Sequence, residues 1–374
     1  MKNENLSPNQ KAVRRLLKNK PALFGLALIV VSVLVAIFGY VLAPDATPDA
    51  NDQLPTIALK NPNFTVKILK MRKNREIEQP NIVSKLLFGA PSTFDFLPIN
   101  AYEIRNDSLF VEKYAGENPE NGKLLRGRTV GFSIGKIADT RQVEKQISNK
   151  TYWLGTDNFG RDTLSRLILG VRISLLVGLI AVLISLTIGI TVGAVAGYFG
   201  GRTDDVLMLL MNTIWSIPTI LLVFAIVLAF GRGIGVIFLA VGLTMWVDVA
   251  RLVRGQVLSL KQISFVEAAQ SMGFSTSRIL ARHILPNILG PVMVVAASNF
   301  ATAILIESGL SYLGFGIQPP TPSWGTMLNE NYGYAIGGKP FLAFIPAFAI
   351  MLMVLAFNLV GNGFRDALDV KSQD

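Results

Sequence analysis

Asp157, Arg161, Asp162 and Arg166 lie within a single short stretch, Trp153-Leu-Gly-Thr-Asp-Asn-Phe-Gly-Arg-Asp-Thr-Leu-Ser-Arg166. Carboxylates at this spacing can hold a divalent cation or serve as a general acid and base. The simpler reading, adopted here, is structural. The segment forms an interfacial turn and helix start, its charges at headgroup level, capping the apolar run that follows. Nothing else in the chain strengthens the chemical alternative. There is no cysteine, and the single histidine, His283, cannot build a cluster. Neither a metal nor a cofactor is therefore expected. A phosphate-binding Gly-x-x-x-x-Gly-Lys-Ser/Thr loop is missing as well. The nearest stretch, 131–136, lacks both the spacing and the hydroxyl residue. ATP binding and hydrolysis are not expected of this chain.

The ionisable residues within apolar runs are few. Asp248 stands three residues before Arg251, so a local pair is expected. Glu307 closes a later run. Charges inside a membrane are functional candidates by default, and a direct functional role stays open for both.

The densest pattern is the loop 263–287. Ser264 and Glu267 stand in the order of a capping box, with Glu267 reaching back to the first turn. Gly273 is placed to stop that helix. Ser275 or Thr276 can start another, which Pro286 limits. The expectation is two short helices joined at a glycine, held between two apolar runs and offered to a partner.

The elements that position this loop are membrane spans. The chain has 374 residues, 51% hydrophobic and 16% charged, which points to an integral membrane protein. Six runs approach the roughly 20 residues that a helix needs to cross a bilayer: 21–43, 173–199, 206–230, 234–253, 288–306 and 341–363. No sustained alternation of apolar and polar residues marks an outer-membrane barrel. The first run exceeds a signal-peptide core and lacks a small-residue cleavage site, so it reads as an uncleaved anchor.

The net charge of +10 raises the question of nucleic acid, but the basic residues flank spans and fill loops. Lys2, Lys11, Arg14, Arg15, Lys18 and Lys20 face only Glu4 in the tail. Arg251, Arg254, Lys261, Arg278 and Arg282 face only Glu267 around the patterned loop. The excess of Lys and Arg places both the N-terminus and that loop in the cytoplasm. Six spans bring the C-terminus to the same side. The partner implied is the lipid bilayer, not nucleic acid.

Three parts result: a tail and anchor (1–43), an extracytoplasmic insert (44–152) and a helical core (153–374). The insert holds β-forming runs at 64–69, 108–111 and 128–134, separated by Asn-Asp, Gly-Glu-Asn-Pro and Glu-Asn-Gly steps. A small β-containing domain is expected, with an irregular strap as the alternative. No catalytic set is visible in it.

Within the spans, Gly189, Gly193 and Gly197 share a helix face and favour close packing, a moving gate being the alternative. Pro218 can kink the third span. Asn212, Ser216, Ser298, Asn299 and Thr302 are candidate path-lining groups, although such residues also bond between helices. Pro319, Pro320 and Pro322 exclude a regular helix after the fifth span, and Trp324 suits a membrane interface.

Four blocks now carry a family resemblance. They are Gly160-Arg-Asp162 with Arg172-Ile-Ser-Leu, Glu267-Ala-Ala269 with Gly273 and Leu285-Pro286, Pro319-Pro-Thr-Pro-Ser-Trp-Gly325, and Phe357-Asn-Leu with the ending up to Asp369. In order and spacing they resemble the permease subunits of dipeptide, oligopeptide and nickel ABC importers, in particular the C-type branch of the peptide permeases. The likeness runs from about residue 152 to 369, and more weakly over the anchor. His283 stands where the family usually has an apolar residue, and the insert is longer than usual. The resemblance implies an all-α integral membrane protein of type I importer architecture in the bacterial cytoplasmic membrane. It implies a second permease subunit, two ATP-binding subunits and an extracytoplasmic solute-binding protein as partners. It makes Ser264, Glu267, Ala268, Ala269, Gly273, Leu285 and Pro286 the ATPase-coupling residues, and the Pro-rich segment with Trp324 part of an outer mouth. Di- or oligopeptides are the expected cargo. Nickel or another small solute is the alternative within the family. An ion-coupled secondary transporter is the alternative outside it, but neither inverted repeats nor buried mid-membrane acids are seen.

Overall fold

The computed structural model describes residues 13–74, 77–105, 108–117, 123–133 and 146–368. The predicted Asn106-Asp107 turn, the second half of the Gly-Glu-Asn-Pro step, the Glu-Asn-Gly step and Ile134 lie outside these residues. So do Lys2, Glu4, Lys11 and Asp369. The chain divides into two compact units: Met1–Val33, Ile173–Gln318 and Ala347–Asp374 form one, Leu34–Arg172 and Pro319–Pro346 the other.

Among the described residues, five helices are long and apolar enough to cross a membrane, or six when a bent pair is joined. They are α1 (Lys20–Leu42) and, beyond the residues of the insert, α3 (Thr163–Phe199), the continuous helix Ile234–Lys261, the continuous helix Thr276–Tyr312, and α12 (Phe341–Leu368). The bent pair is α4 (Gly201–Trp215) and α5 (Thr219–Phe230), which meet at 87°. The predicted third span is therefore broken rather than kinked. Pro218 has no N–H to donate back along the helix, and the Ile217 N–H turns to Ile214 O at 3.2 Å instead.

The 234–261 helix is divided by Met245 into α6 (Ile234–Thr244) and α7 (Trp246–Lys261). Its apolar residues serve three clusters, one of them shared with the loop that follows α7. Val223, Val227, Ile237, Ala240, Val241, Ala303 and Leu310 pack α5, α6 and the 276–312 helix together. Met211, Trp246, Val247 and Ala250 pack α4 on α7. Gly189, Gly193 and Gly197 of α3 lie against α7. An added Cβ would come 2.5 Å from Val249 Cβ, 2.4 Å from the Ala250 carbonyl oxygen and 2.8 Å from the Arg254 carbonyl oxygen respectively. The stripe is a packing surface.

The second unit contains a five-stranded antiparallel sheet in the order β4-β3-β2-β1-β5. Its strands are β1 (Phe64–Arg72), β2 (Phe94–Arg105), β3 (Ser108–Lys113), β4 (Thr129–Ser133) and β5 (Ile147–Tyr152), with the short helix α2 (Ile82–Phe88) between β1 and β2. The β-containing reading is met and the irregular strap is not. Strand β1 buries side chains on both faces: Val66 and Ile68 with Ile57, Tyr114 and Tyr152, and Leu69 with Ile99, Leu109 and Val111. Strands β2 and β5 were not expected from the sequence. Proline argues against a strand interior, yet Pro98 sits in β2 just before an irregularity between Ile99 and Ala101, and its carbonyl accepts from Tyr114 N–H at 3.0 Å.

Candidate coupling loop and translocation path

The loop after α7 begins with α8 (Ser264–Ser271). Its N-cap is Ile263, in extended backbone, and no side chain caps it. The expected capping box is therefore absent: Ser264 lies one residue inside the helix. The register is set by burial, because Val266 and Ala269 must enter the apolar cluster with Val249, Val253, Val257, Ile279, Ile284 and Ile288. The C-terminus follows the expectation. Gly273 has φ 75°, its N–H donates to Gln270 O at 2.9 Å, and Phe274 N–H donates to Ala269 O at 3.2 Å. These two bonds form a Schellman closure, which satisfies carbonyls that a helix end otherwise leaves open.

Beyond Gly273, Ser275 is the N-cap of α9 (Thr276–Ile279), without a side-chain bond. A π segment, Leu280–Ile284, leads directly into α10 (Leu285–Tyr312). Pro286 thus does not end a short helix. It sits in the first turn of α10, and the wider π turn accommodates a ring that would clash with a regular helix. The second half of the loop is the first turns of the 276–312 helix.

The two faces of α8 differ. Val266 and Ala269 are buried, while Ser264, Phe265, Glu267, Ala268, Gln270 and Met272 are exposed. Phe265 and Met272 present large apolar side chains, 41% and 65% exposed. Phe274 stacks on His283 with ring centroids 5.9 Å apart, and the Arg278 guanidinium lies 4.5 Å from the Phe274 centroid. The unusual His283 therefore has a packing role. Leu285 is half-buried at the cluster's edge, and Pro286 is exposed. Two polar ties hold neighbouring helix ends. Lys261 Nζ donates to the Tyr198 carbonyl at 2.7 Å, and Arg254 forms a two-bond pair with Asp204 at 2.5 Å each.

The path candidates divide. Ser216, at the α4–α5 break, is exposed, as are Ser298 and Thr302, one helical turn apart on α10. Asn212 accepts from Arg251 at 2.6 Å, and Asn299 is buried with its amide aimed at Met245 O at 3.4 Å, so both tie helices together. Arg251, whose guanidinium also lies 4.4 Å from the Trp215 ring centroid, is directed to α4 rather than to Asp248. Asp248 instead borders a cleft with Trp215, Pro218 and Thr244 at the break. Glu307 is buried and accepts from Ser311 Oγ at 2.7 Å.

In the second unit, Pro319-Pro320 is a cis peptide, and Ser323 caps α11 (Trp324–Ile336) by accepting from Thr326 N–H. Trp324 is buried: its Nε1 donates to Leu167 O at 3.1 Å, and its ring fills the space that Gly170 leaves. The charges at 157–166 are also buried within the protein and pair with one another. Arg161 bonds Asp157 and Glu330 at 2.6 Å each, and Arg166 donates to Glu330 at 3.2 Å and to Pro320 O at 3.3 Å. The physical reason is Glu330, a residue that local sequence patterning does not single out. It completes a set of two cations and two anions whose charges compensate one another out of water. Asp162 does cap α3, accepting from Ser165 N–H at 3.0 Å.

Residues 189–372 match the family described as binding-protein-dependent transport system inner membrane component. Residues 7–62 match the N-terminal TM domain of oligopeptide transport permease C. The oligopeptide transport system permease protein OppC of Bacillus subtilis (strain 168) is 41% identical over 60% of this chain and 73% of its own length. OppC of Escherichia coli (strain K12) is 47% identical over 59% and 73%. The glutathione transport system permease protein GsiD of Pectobacterium atrosepticum is 43% identical over 60% and 74%. All five strands fall between the two matched stretches. With such identity across most of each relative's length, the chain belongs to the family of binding-protein-dependent transport system inner membrane components.

Proposed function

We propose that the chain is one of two permease subunits in an ATP-driven importer of di- or oligopeptides in the bacterial cytoplasmic membrane. Both termini and the 263–287 loop then lie in the cytoplasm, and the sheet lies outside. Two ATP-binding subunits, a second permease and an extracytoplasmic solute-binding protein complete the assembly. The peptide cargo is supported by the names of the relatives, among them oligopeptide, dipeptide and glutathione permeases.

The observation that carries this reading is the two-sided character of α8. One face is fixed in the helical core by Val266 and Ala269, while Phe265, Glu267, Ala268 and Met272 stand outward. A short helix closed at its C-terminus and exposing apolar side chains around one carboxylate suits a groove on a partner protein. Force applied there reaches α10 across the Gly273 turn through packing, because Val266 and Ala269 share a cluster with Ile279, Ile284 and Ile288, and α9, the π segment and α10 are continuous. The same cluster includes Val249, Val253 and Val257 of α7. Closure of the ATPase would thus move α7 and α10 with the loop. The nucleotide favours one state only by its differential affinity for it. Ser216, Ser298 and Thr302 remain the exposed path candidates, although the Ser216 and Thr302 hydroxyls donate to Thr213 O and Ser298 O of their own helices.

Purification of the full chain from its own membranes, paired with peptide uptake, tests this reading. The ATPase is expected to co-purify, and Glu267→Ala with Met272→Asp to lower both its recovery and uptake. An intact complex and unchanged uptake in that variant would overturn the coupling role.

A further inference from the structure

The short helix α2 is the part of the β-containing unit that its core leaves out. None of its residues is buried, with Ile82 87%, Val83 64%, Leu87 40% and Phe88 66% exposed. Only Ser84 and Leu86 are half-buried. At about 100° per residue, the exposed apolar side chains point to nearly every side of the helix axis. A flat protein surface covers one side of a helix. Apolar side chains exposed around most of a helix, interrupted here by Lys85 and Ser84, suit an apolar medium rather than water.

The position of α2 identifies that medium. Asn81 caps its start, accepting from Ser84 N–H at 2.8 Å. Its end is seated on the last turns of α1. Gly89 (φ 75°) lies so close that a Cβ would meet the Ala46 carbonyl oxygen and the Tyr40 ring, each at 2.7 Å. Ala90 N–H then donates to Ala46 O at 3.1 Å. Helix α1 has 23 residues, about 34 Å of rise, so its end marks a boundary of the hydrocarbon. The outer side chains of that end, Phe38, Val41 and Leu42, are exposed and apolar, as are those of α2, whose end at Gly89 lies against Tyr40. The Arg172 guanidinium lies 5.0 Å from the Tyr40 ring centroid, a pair suited to the headgroup level. Lys85 is the one charge on α2, and its stem is long enough to carry an ammonium to phosphates.

We propose that α2 is immersed in lipid at the membrane surface where α1 ends, anchoring the β-containing unit to the bilayer at a second point. The sheet is thereby held against the membrane rather than free to tumble on its linkers.

The absence of cysteine makes the test direct. A nitroxide is placed at Val83→Cys or Phe88→Cys in the assembled importer, in nanodiscs of phosphatidylethanolamine and phosphatidylglycerol. Its relaxation by oxygen, which partitions into hydrocarbon, is compared with that by a water-soluble nickel chelate. Phe38→Cys on α1 is the lipid reference and Glu103→Cys on β2 the water reference. Both α2 sites are expected to match Phe38, with oxygen several-fold more effective than the chelate. Chelate dominance, as at Glu103, would overturn the proposal in favour of an aqueous helix. Low access to both reagents would overturn it in favour of a protein partner.

Discussion

The Gly193 Cα faces the Ala250 carbonyl so closely that a Cβ would come within 2.4 Å of the oxygen. The obstacle is backbone, so no side-chain rotation relieves it. Gly193→Val is expected to push α3 from α7, at the about 1–3 kcal/mol typical of overpacking or more. The purified chain should unfold at lower temperature. An unchanged melting temperature would show that the helices separate freely.

Gly273 isolates a different effect, since nothing lies within 4 Å of its would-be Cβ. Its φ of 75° is the whole constraint. Gly273→Ala is expected to cost about 1 kcal/mol in the left-handed conformation, loosening α8 without displacing a neighbour. Hydrogen exchange should quicken at Gly273 and Phe274, whose N–H groups close the helix, and stay unchanged in α3. Uniform quickening would contradict a local role.

The buried charges at Arg161, Arg166, Asp157 and Glu330 call for a double-mutant cycle. Glu330→Gln leaves two guanidiniums with one carboxylate, and breaking such a set is expected to cost about 3–5 kcal/mol. Adding Arg166→Met should restore part of that loss. If the two losses simply add in thermal unfolding, the residues are not coupled.

How much of the fold and of the site is legible in the sequence depends on how local each cause is. The Gly273 stop needs only a residue free to take positive φ, and the expectation there holds. The expected cap at Ser264 fails because the register of α8 is set by Val266 and Ala269 reaching a distant cluster, one residue away from the best local cap. Pro286 signals a break only if the helix stays α; the π segment removes that condition. The ion set escapes local patterning because Glu330 lies more than a hundred and fifty residues beyond Arg161. The burial of Trp324 is not legible either, because the space left by Gly170 has no trace in neighbouring residues. Strand β5, Ile-Ser-Asn-Lys-Thr-Tyr, is too polar to announce itself, and its pairing with β1 supplies what its composition lacks.

Asp52 gives the insert a pH dependence. Burial, reinforced by the Asp45 carboxylate, lifts its pKa from 3.8 to about 6. The folded state therefore holds the proton more tightly than the unfolded chain. The associated stability is fully present below the unfolded value and is lost as pH rises through about 6. Hydrogen exchange in segment 45–72, corrected for intrinsic rates, should be slower near pH 5 than near pH 7.5, and Asp52→Asn should flatten the difference. Persistence of the difference in that variant would assign it to another group.

The most direct test of the coupling claim is a site-specific crosslink from α8. With no native cysteine to remove, Ala268→Cys or Met272→Cys carries a short photoactivatable crosslinker in the assembled importer, and Gln262→Cys serves as the flanking control. The account predicts an adduct with the ATPase from both α8 positions, with a yield that changes when ATP is trapped. Capture of lipid or of no protein at both positions, while peptide uptake continues, would contradict it.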